Sequence, residues 1–554
     1  MYTHKQATRL LLDKGLKGGE AHESLGSNSL LAQKYFLYQM ENYIFISCYN
    51  RNSGTFFCLT NVLNNYDSIM NVPDGVGTTV SSGRWLLLYM EKFQDKFWQS
   101  YSLPFFNGLI TILVLAICAC LITELFSIQD SLNRILVGAI IVCFPTITST
   151  MFFMFCAPHY AVAILFSILA VYCVDQKRFG WLGSIFLLAC SMGIYQAYLP
   201  VTASLMILLL IWKSLRKECD WKKVLQKGIK YFGVLVLGFF VYMGITNLTL
   251  KHYNVVLNDY QGINNMGKVS FSQLPLLILK IYKNFYHLTK QNYCGISSTF
   301  VIQKGLIILG ILSFILIIHY LIAYKRSIME RFLIILLFIL IPVAADGIEI
   351  MCPQSFIYTL MVYGMVVIYL IPILLLELFN DRILFTYQTK KQTWNSKLKQ
   401  FTIWGISLCM VVMIFNYIWS SNVNYTLMYY TDVETQEYLS SMVTRMRSVE
   451  NYTTDAPVAF IGKNISDPSY AEIWKKVNVI YGGNESSLIN HYSRNRFMKV
   501  LLSYKYKKAD DSQIEMLKDM KKVKEMNCYP NDNSIKMIDG ILVVKLEEDT
   551  EKSK

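Results

Sequence analysis

Long apolar stretches alternate with short polar ones along most of this chain. Runs of fourteen or more mainly apolar residues lie near 104–126, 135–155, 160–174, 180–196, 198–212, 231–250, 301–323, 332–345, 356–379 and 401–420. That is the scale on which a helix crosses a hydrocarbon core of ~30 Å. An eleventh run, 43–63, carries Asn50, Arg51 and Asn52 at mid-depth, where an Arg costs about 2.5–3.5 kcal/mol to insert. Parity nevertheless requires it to cross. Otherwise the N-terminus would lie outside, against five basic residues in the first 42. The pattern predicts a mainly α fold, a polytopic transmembrane bundle of about eleven spans over residues 43–420.

After about residue 421 the pattern changes. Asp432 to Glu450 has amphipathic helical spacing, PVAFIG (457–462) and ILVVKLEE (541–548) read as strands, and SQIEMLKDMKKVKEM (512–526) reads as another helix. Residues 421–554 are expected to form a small α/β domain. Residues 1–42 are polar, with no apolar run leading into a small-residue cleavage site, so no signal peptide is expected.

Composition narrows the class. A hydrophobic content of 54% and a mean hydropathy of +0.35 exclude a soluble globular protein. The net charge of +14 does not indicate nucleic acid, because Lys and Arg gather between apolar runs. With the N-terminus inside, segments 127–134, 175–179, 213–230, 324–331 and 380–400 are cytoplasmic and hold one, two, seven, three and five basic residues. The opposite segments 156–159, 197 and 346–355 hold none, while the longer 64–103 and 251–300 hold three and five. The first loop 64–103 and the 421–554 domain are then extracytoplasmic. The thirteen Cys occur without a C-x-x-C pair or His at ligand spacing, so neither a disulfide framework nor a metal site is indicated.

Candidate chemistry concentrates beside the bilayer in NNYDSIMNVPDGVGTTVSSGRWLLLYMEKF (64–93), where RWLLLYMEKF predicts a helix along the interface. Asp67 directly follows the first span, at headgroup depth. Moving a sugar from a lipid phosphate to a hydroxyl needs a base for the hydroxyl proton and a cation for the leaving phosphate. Asp67 and Arg84 supply that pair; Asp74, beside Gly75, is either a second carboxylate for the chemistry or a turn former. His159 in FCAPHYAV is a further candidate or a helix-start residue. In GIYQAYLP, Tyr195, Gln196 and Tyr198 offer aromatic faces and an amide suited to a sugar ring, or belong to an interfacial aromatic belt. His252, Asp259, Asp346 and Glu349 read as ordinary loop residues. The longest internal cytoplasmic segments, 18 and 21 residues, are too short for a nucleotide-sugar domain, so an activated sugar would have to arrive on a lipid.

NYDSIMNVPDGVGTTVSSGRW, FPTITSTMFFMFCAPHYAVAILFSILAVY and LACSMGIYQAYLPV resemble the bacterial Gtr type II glucosyltransferases, from about residue 60 through the last span. The resemblance implies a GT-C-like enzyme of the bacterial plasma membrane. It implies transfer of glucose or a related sugar from undecaprenyl phosphate to a surface polysaccharide or teichoic polymer on the extracytoplasmic face. No cofactor beyond this polyprenyl-phosphate donor is implied. Residue by residue, the acidic position falls on Asp67, as base, and the S-G-R-W element on Ser82, Gly83, Arg84 and Trp85. The polar interruption at 50–52 departs from the family's clean first span. A transporter or flippase of lipid-linked sugars, or a polysaccharide polymerase, would also be polytopic. A transporter, however, favours ionisable groups at the midplane and paired halves, whereas here polar groups cluster at one face and the spans show no obvious duplication.

Overall fold

The computed structural model describes residues 55–71, 75–97, 102–258, 266–267, 269–323, 326–353, 356–380, 396–462 and 493–547. Among these, eight helices are long and apolar enough to cross a membrane: Pro104–Leu125, Ser131–Phe152, Ala157–Gln176, Gln196–Leu215, Trp221–Tyr253, Phe300–Ile322, Ile328–Ala345 and Gln400–Arg447. Two shorter apolar helices, Gly180–Ile194 and Tyr363–Phe379, coincide with the runs 180–196 and 356–379. Segment 1–42 and the Asn50–Asn52 interruption lie outside the described residues. The rest of that run includes a short helix, Phe56–Thr60. Its Leu59 fills the space above Gly108, where a Cβ would stand 2.0 Å from the leucine side chain.

Local sequence sets where these helices begin. Proline occupies the first turn of Pro104–Leu125, Pro145–Phe152, Ala157–Gln176 and Leu199–Leu215, where its missing N–H forfeits no intrahelical bond. Asp130, Asp220 and Ser327 instead cap Ser131–Cys143, Trp221–Tyr253 and Ile328–Ala345 by accepting backbone N–H bonds. Pro145 also breaks the run from Ser131, because the preceding Phe144 turns to extended backbone (ψ 138°). Phe144 then meets Tyr363, Tyr369 and Tyr417 edge-on in the bundle core. Tyr417 donates to Ile296 O at 3.0 Å, so Tyr369 supplies the proton shared by the two phenols. Phe186, Phe240, Phe314 and Phe415 project from the outside of the bundle, the surface a bilayer rather than water would cover.

Polar groups gather at the two ends. At one end the buried Asp175 carboxylate binds Lys213 at 2.5 Å, Lys227 at 2.7 Å and the Tyr231 hydroxyl at 2.7 Å. There too Glu377 accepts from Gln129 N at 2.6 Å and Asn133 Nδ2 at 2.7 Å, and Arg326 donates to Ser214 O and Leu215 O. At the other end stand Asp67, Arg84 and the turn 195–198.

The run 401–420 and the helix expected from Asp432 are one uninterrupted helix, Ser396–Arg447, of 52 residues. It leads to a four-stranded sheet of order β2-β1-β4-β3, made of β1 Pro457–Ile461, β2 Lys507–Lys508, β3 Ile535–Ile538 and β4 Ile541–Lys545. β1 is parallel to β2 and β4, while β3 and β4 form an antiparallel hairpin. Alternation sorts the two faces. Val458, Phe460, Leu542 and Val544 cluster with Leu439, Met442 and Met446 of the long helix. Ala459, Ile461 and Val543 cluster with Leu517 and Val523. The expected helix 512–526 is two pieces, Asp511–Asp519 and Lys521–Lys524, parted by an extended Met520. Ile69, from the first loop, joins the cluster of the long helix, so this domain packs directly on the segment that carries Asp67.

Candidate active site

Asp67 lies in the first turn of the helix Tyr66–Asn71. Asn65 and Ser68 fix that turn reciprocally: Asn65 Oδ1 accepts from Ser68 N, and Ser68 Oγ accepts from Asn65 N, both at 2.7 Å. The Asn65 amide also donates to Phe152 O at 3.0 Å, and Asn64 Nδ2 reaches both Asp432 oxygens at 3.2 and 2.9 Å. Two asparagines thus pin the helix to the bundle from both sides. The Asp67 side chain stays half-buried.

Arg84 is presented by a turn that the S-G-R-W sequence dictates. Val80–Ser82 forms a short 3₁₀ helix, and Gly83 follows at φ 70°, ψ 15°. Gly83 N donates to Val80 O and Arg84 N to Thr79 O, both at 2.9 Å, a pairing that closes a helix through a left-handed residue. The Gln196 amide holds the turn from below, donating to Ser82 O at 2.6 Å and to Tyr242 Oη at 2.9 Å. Tyr242 in turn donates to Gly83 O at 3.2 Å. A Cβ on Gly83 would stand 2.6 Å from that hydroxyl. Gly83→Ala should therefore lower stability by about 1–2 kcal/mol, from the left-handed backbone and the contact together. Unfolding curves of the two proteins in detergent would check this, and superimposable curves would contradict it.

The guanidinium lies against an aromatic nest. Arg84 Nη1 donates to Tyr160 Oη at 3.2 Å, and Cζ stands 4.9 Å from the Tyr195 ring centroid. Tyr160 and Tyr195 stack at 4.6 Å, and Tyr198 meets Tyr195 and Tyr160 edge-on at 5.3 and 6.4 Å. Among the described residues Arg84 Nε has no hydrogen-bond partner. Burial works against the charge, but Tyr160, Tyr195, Cys156 and the Asp67 carboxylate outweigh it and hold the pKa above the ordinary arginine value. The side chain is a permanent cation with a donor to spare, in electrostatic contact with Asp67. Trp85 packs on Gly193, where a Cβ would fall 2.5 Å from the indole.

The structure therefore brings together five residues singled out from sequence: Asp67, Arg84, Tyr195, Gln196 and Tyr198. His159 is buried one position before Tyr160; Asp74 lies outside the described residues. Tyr160 and Tyr242 belong to the site and were not anticipated. Tyr160 stood within the quoted FCAPHYAV. Among the described residues no three His, Cys, Asp or Glu side chains converge as metal ligands would.

Asp346 and Glu349, expected as ordinary loop residues, are instead 0% and 3% exposed; Asp259 lies outside the described residues. The Asn284 amide donates to Asp346 Oδ2 at 3.0 Å and Glu349 Oε1 at 2.9 Å. Tyr293 donates to Asp346 at 3.1 Å, and Lys280 pairs with Glu349 at 2.6 Å. One lysine serves two carboxylates. Burial first, and the Glu349 charge, push the Asp346 carboxyl up to about 7 despite the bonds from Asn284 and Tyr293. The following Met351 and Cys352 pack with Trp85 and Tyr242, directly behind the Arg84 turn.

A carboxyl whose pKa rises from 3.8 to about 7 on folding takes up a proton between those values. Its contribution to stability is fully present below about pH 4 and is lost as pH rises through 7. Thermal unfolding of wild type should thus show melting temperature falling from pH 5 to 8, with a smaller slope in Asp346→Asn. Equal slopes would remove Asp346 as the group responsible.

The family model described as glucosyl transferase GtrII matches residues 56–369, a stretch that contains Asp67, Arg84, Tyr160, Tyr195, Gln196, Tyr242 and Asp346. No curated protein matches the chain.

Proposed function

The chain belongs to the GtrII glucosyl transferase family, and from that premise we propose that it moves glucose or a related sugar from a polyprenyl-phosphate donor to a cell-surface polymer on the extracytoplasmic face. Family membership and eight apolar helices already make it a membrane glycosyltransferase. The observation that carries the finer reading is Arg84, a guanidinium seated on Tyr195, with an unused Nε donor and the Asp67 carboxylate in electrostatic reach.

The proposed chemistry is a single displacement. Asp67 takes the proton of an acceptor hydroxyl, and the freed oxygen forms a bond to the anomeric carbon. The bond from that carbon to the phosphate oxygen breaks, and its electron pair leaves on the phosphate. The departing polyprenyl phosphate gains negative charge as the bond breaks, so Arg84 binds it more strongly in the transition state than in the ground state. Tyr195 seats the Arg84 guanidinium on its ring, Tyr198 packs behind it, and Gln196 fixes the turn that aims Arg84. Asp74 is the second candidate carboxylate and His159 a further candidate for donor binding.

Charge supports the proposed sidedness. Lys213, Lys227 and Arg326 lie at the end of the bundle opposite Arg84, and basic residues favour the cytoplasmic side. On this reading the N-terminus and those residues are inside, and the Asp67 end with the C-terminal domain is outside, in a bacterial plasma membrane. The reading is tested by incubating the protein in nanodiscs with polyprenyl-phosphate glucose and a cell-envelope polymer preparation. Label should appear in the polymer as glucose. No transfer from any polyprenyl-linked sugar, with labelled lipid appearing in the opposite leaflet of liposomes, would favour a flippase instead.

A further inference from the structure

The transfer chemistry leaves the buried cation Arg494 unused. Arg494, at the start of the helix Arg494–Val500, is only 5% exposed. Its Cζ lies 3.9 Å from the Phe460 ring centroid, and among the described residues its Nε and Nη1 have no hydrogen-bond partner. Burial lowers its pKa to about 10, with the Tyr506 and Tyr438 phenols acting in the opposite direction. A guanidinium enclosed with donors unmet among the described residues is costly unless something completes it.

Arg494 also terminates an aromatic ladder. Phe460 meets Tyr506 at 5.9 Å, Tyr506 meets Tyr504 at 5.6 Å, and at the far end the exposed Arg447 lies 5.1 Å over Tyr504. Two guanidinium groups thus bracket three rings, a pattern that suits anionic groups separated by sugar or polyol units. The helix bearing Arg494 contributes Phe497 and Met498 to the cluster that includes Ile69, two residues from Asp67.

We propose that Arg494, with the ladder leading to Arg447, is a binding subsite for the acceptor: a polymer that carries oxyanions, phosphodiester or carboxylate, along its length. This rests on the transferase reading and extends it, since Arg84 serves the donor phosphate and Arg494 the acceptor. The C-terminal domain grips the polymer where the Asp67 helix is docked, holding its hydroxyls beside the base.

Binding can be read without catalysis. The full-length protein in donor-free nanodiscs is titrated with a short poly(glycerol phosphate) chain and, separately, with neutral dextran. Wild type is expected to bind the former and not the latter. Arg494→Gln should weaken polyanion binding about tenfold or more and Arg447→Gln about threefold. Arg494→Met should melt at or above the wild-type temperature, because it removes a buried charge with donors unmet among the described residues. Unchanged affinity in both Arg494→Gln and Arg447→Gln would overturn the proposal. So would a loss confined to nanodiscs loaded with polyprenyl phosphate, which would assign Arg494 to the donor, or unfolding of Arg494→Met, which would make the residue structural. Failure of sugar transfer with polyanion binding intact would count against the transferase reading alone.

Discussion

Replacing Asp67 with Asn is expected to lower sugar transfer by about a thousandfold while the protein remains folded. General-base catalysis contributes typically 10²–10⁴-fold, and an amide of the same shape cannot take a proton from an attacking hydroxyl. The fold should tolerate the change because Asn65 and Ser68 fix the helix start. The bond from Asn71 Nδ2 goes to the Asp67 backbone carbonyl, at 2.7 Å, and survives substitution. The measurement is the initial rate at saturating donor, beside donor affinity and the unfolding curve. Asp67→Asn should lose rate and keep both of the others. A rate within tenfold of wild type would remove Asp67 as the base and leave Asp74 as the carboxylate to test.

Arg84→Ala should have the next largest effect, about a hundredfold in kcat/KM, with Arg84→Lys between it and wild type. Loss of one preorganised donor to a developing anion costs about 10²–10³ in rate. The substitution also leaves the Tyr160 hydroxyl without the guanidinium and the Tyr195 face without its cation. Lysine restores charge but not the planar fork that rests on the ring while donating sideways. Product inhibition by polyprenyl phosphate separates the contributions: it should weaken in Arg84→Ala and return in part with lysine. Undiminished inhibition in the alanine variant would place the phosphate elsewhere.

Different parts of this molecule were legible in its sequence for different physical reasons. Apolar runs near twenty residues long identify crossing helices almost by length alone, which is why the eight long helices fall where the hydropathy pattern puts them. Asp67, Arg84 and the 195–198 turn were legible because a polar group at the end of an apolar run stands out. Tyr160 and Tyr242 did not, since a tyrosine inside such a run looks like any other core residue until a neighbour claims its hydroxyl. The burial of Asp346 and Glu349 depends on Asn284 and Lys280 from more than sixty residues upstream, a pairing that local pattern does not carry. The boundary expected near 421 vanished because no glycine or proline occurs after Gly405 until beyond Arg447, so the helix continues where hydrophobicity stops. The hairpin of β3 and β4 had a local signal that went unused: Asp539 and Gly540, both at positive φ, form a two-residue turn between Ile538 and Ile541.

That continuous helix also makes the catalytic end of the molecule sensitive to phase. Residues Tyr438, Leu439, Met442 and Met446 meet the sheet and Ile69 only because they share one face of the rod that began at Ser396. One residue inserted beyond Gly405 would turn everything after it by about 100° and advance it by about 1.5 Å, swinging that face away from its partners. Four residues would nearly restore the angle but lift the sheet by about 6 Å off the Asp67 helix. The length of this segment is therefore set like the pitch of a screw. A relative that keeps this domain docked over its first loop can change the sequence of the rod far more readily than its residue count.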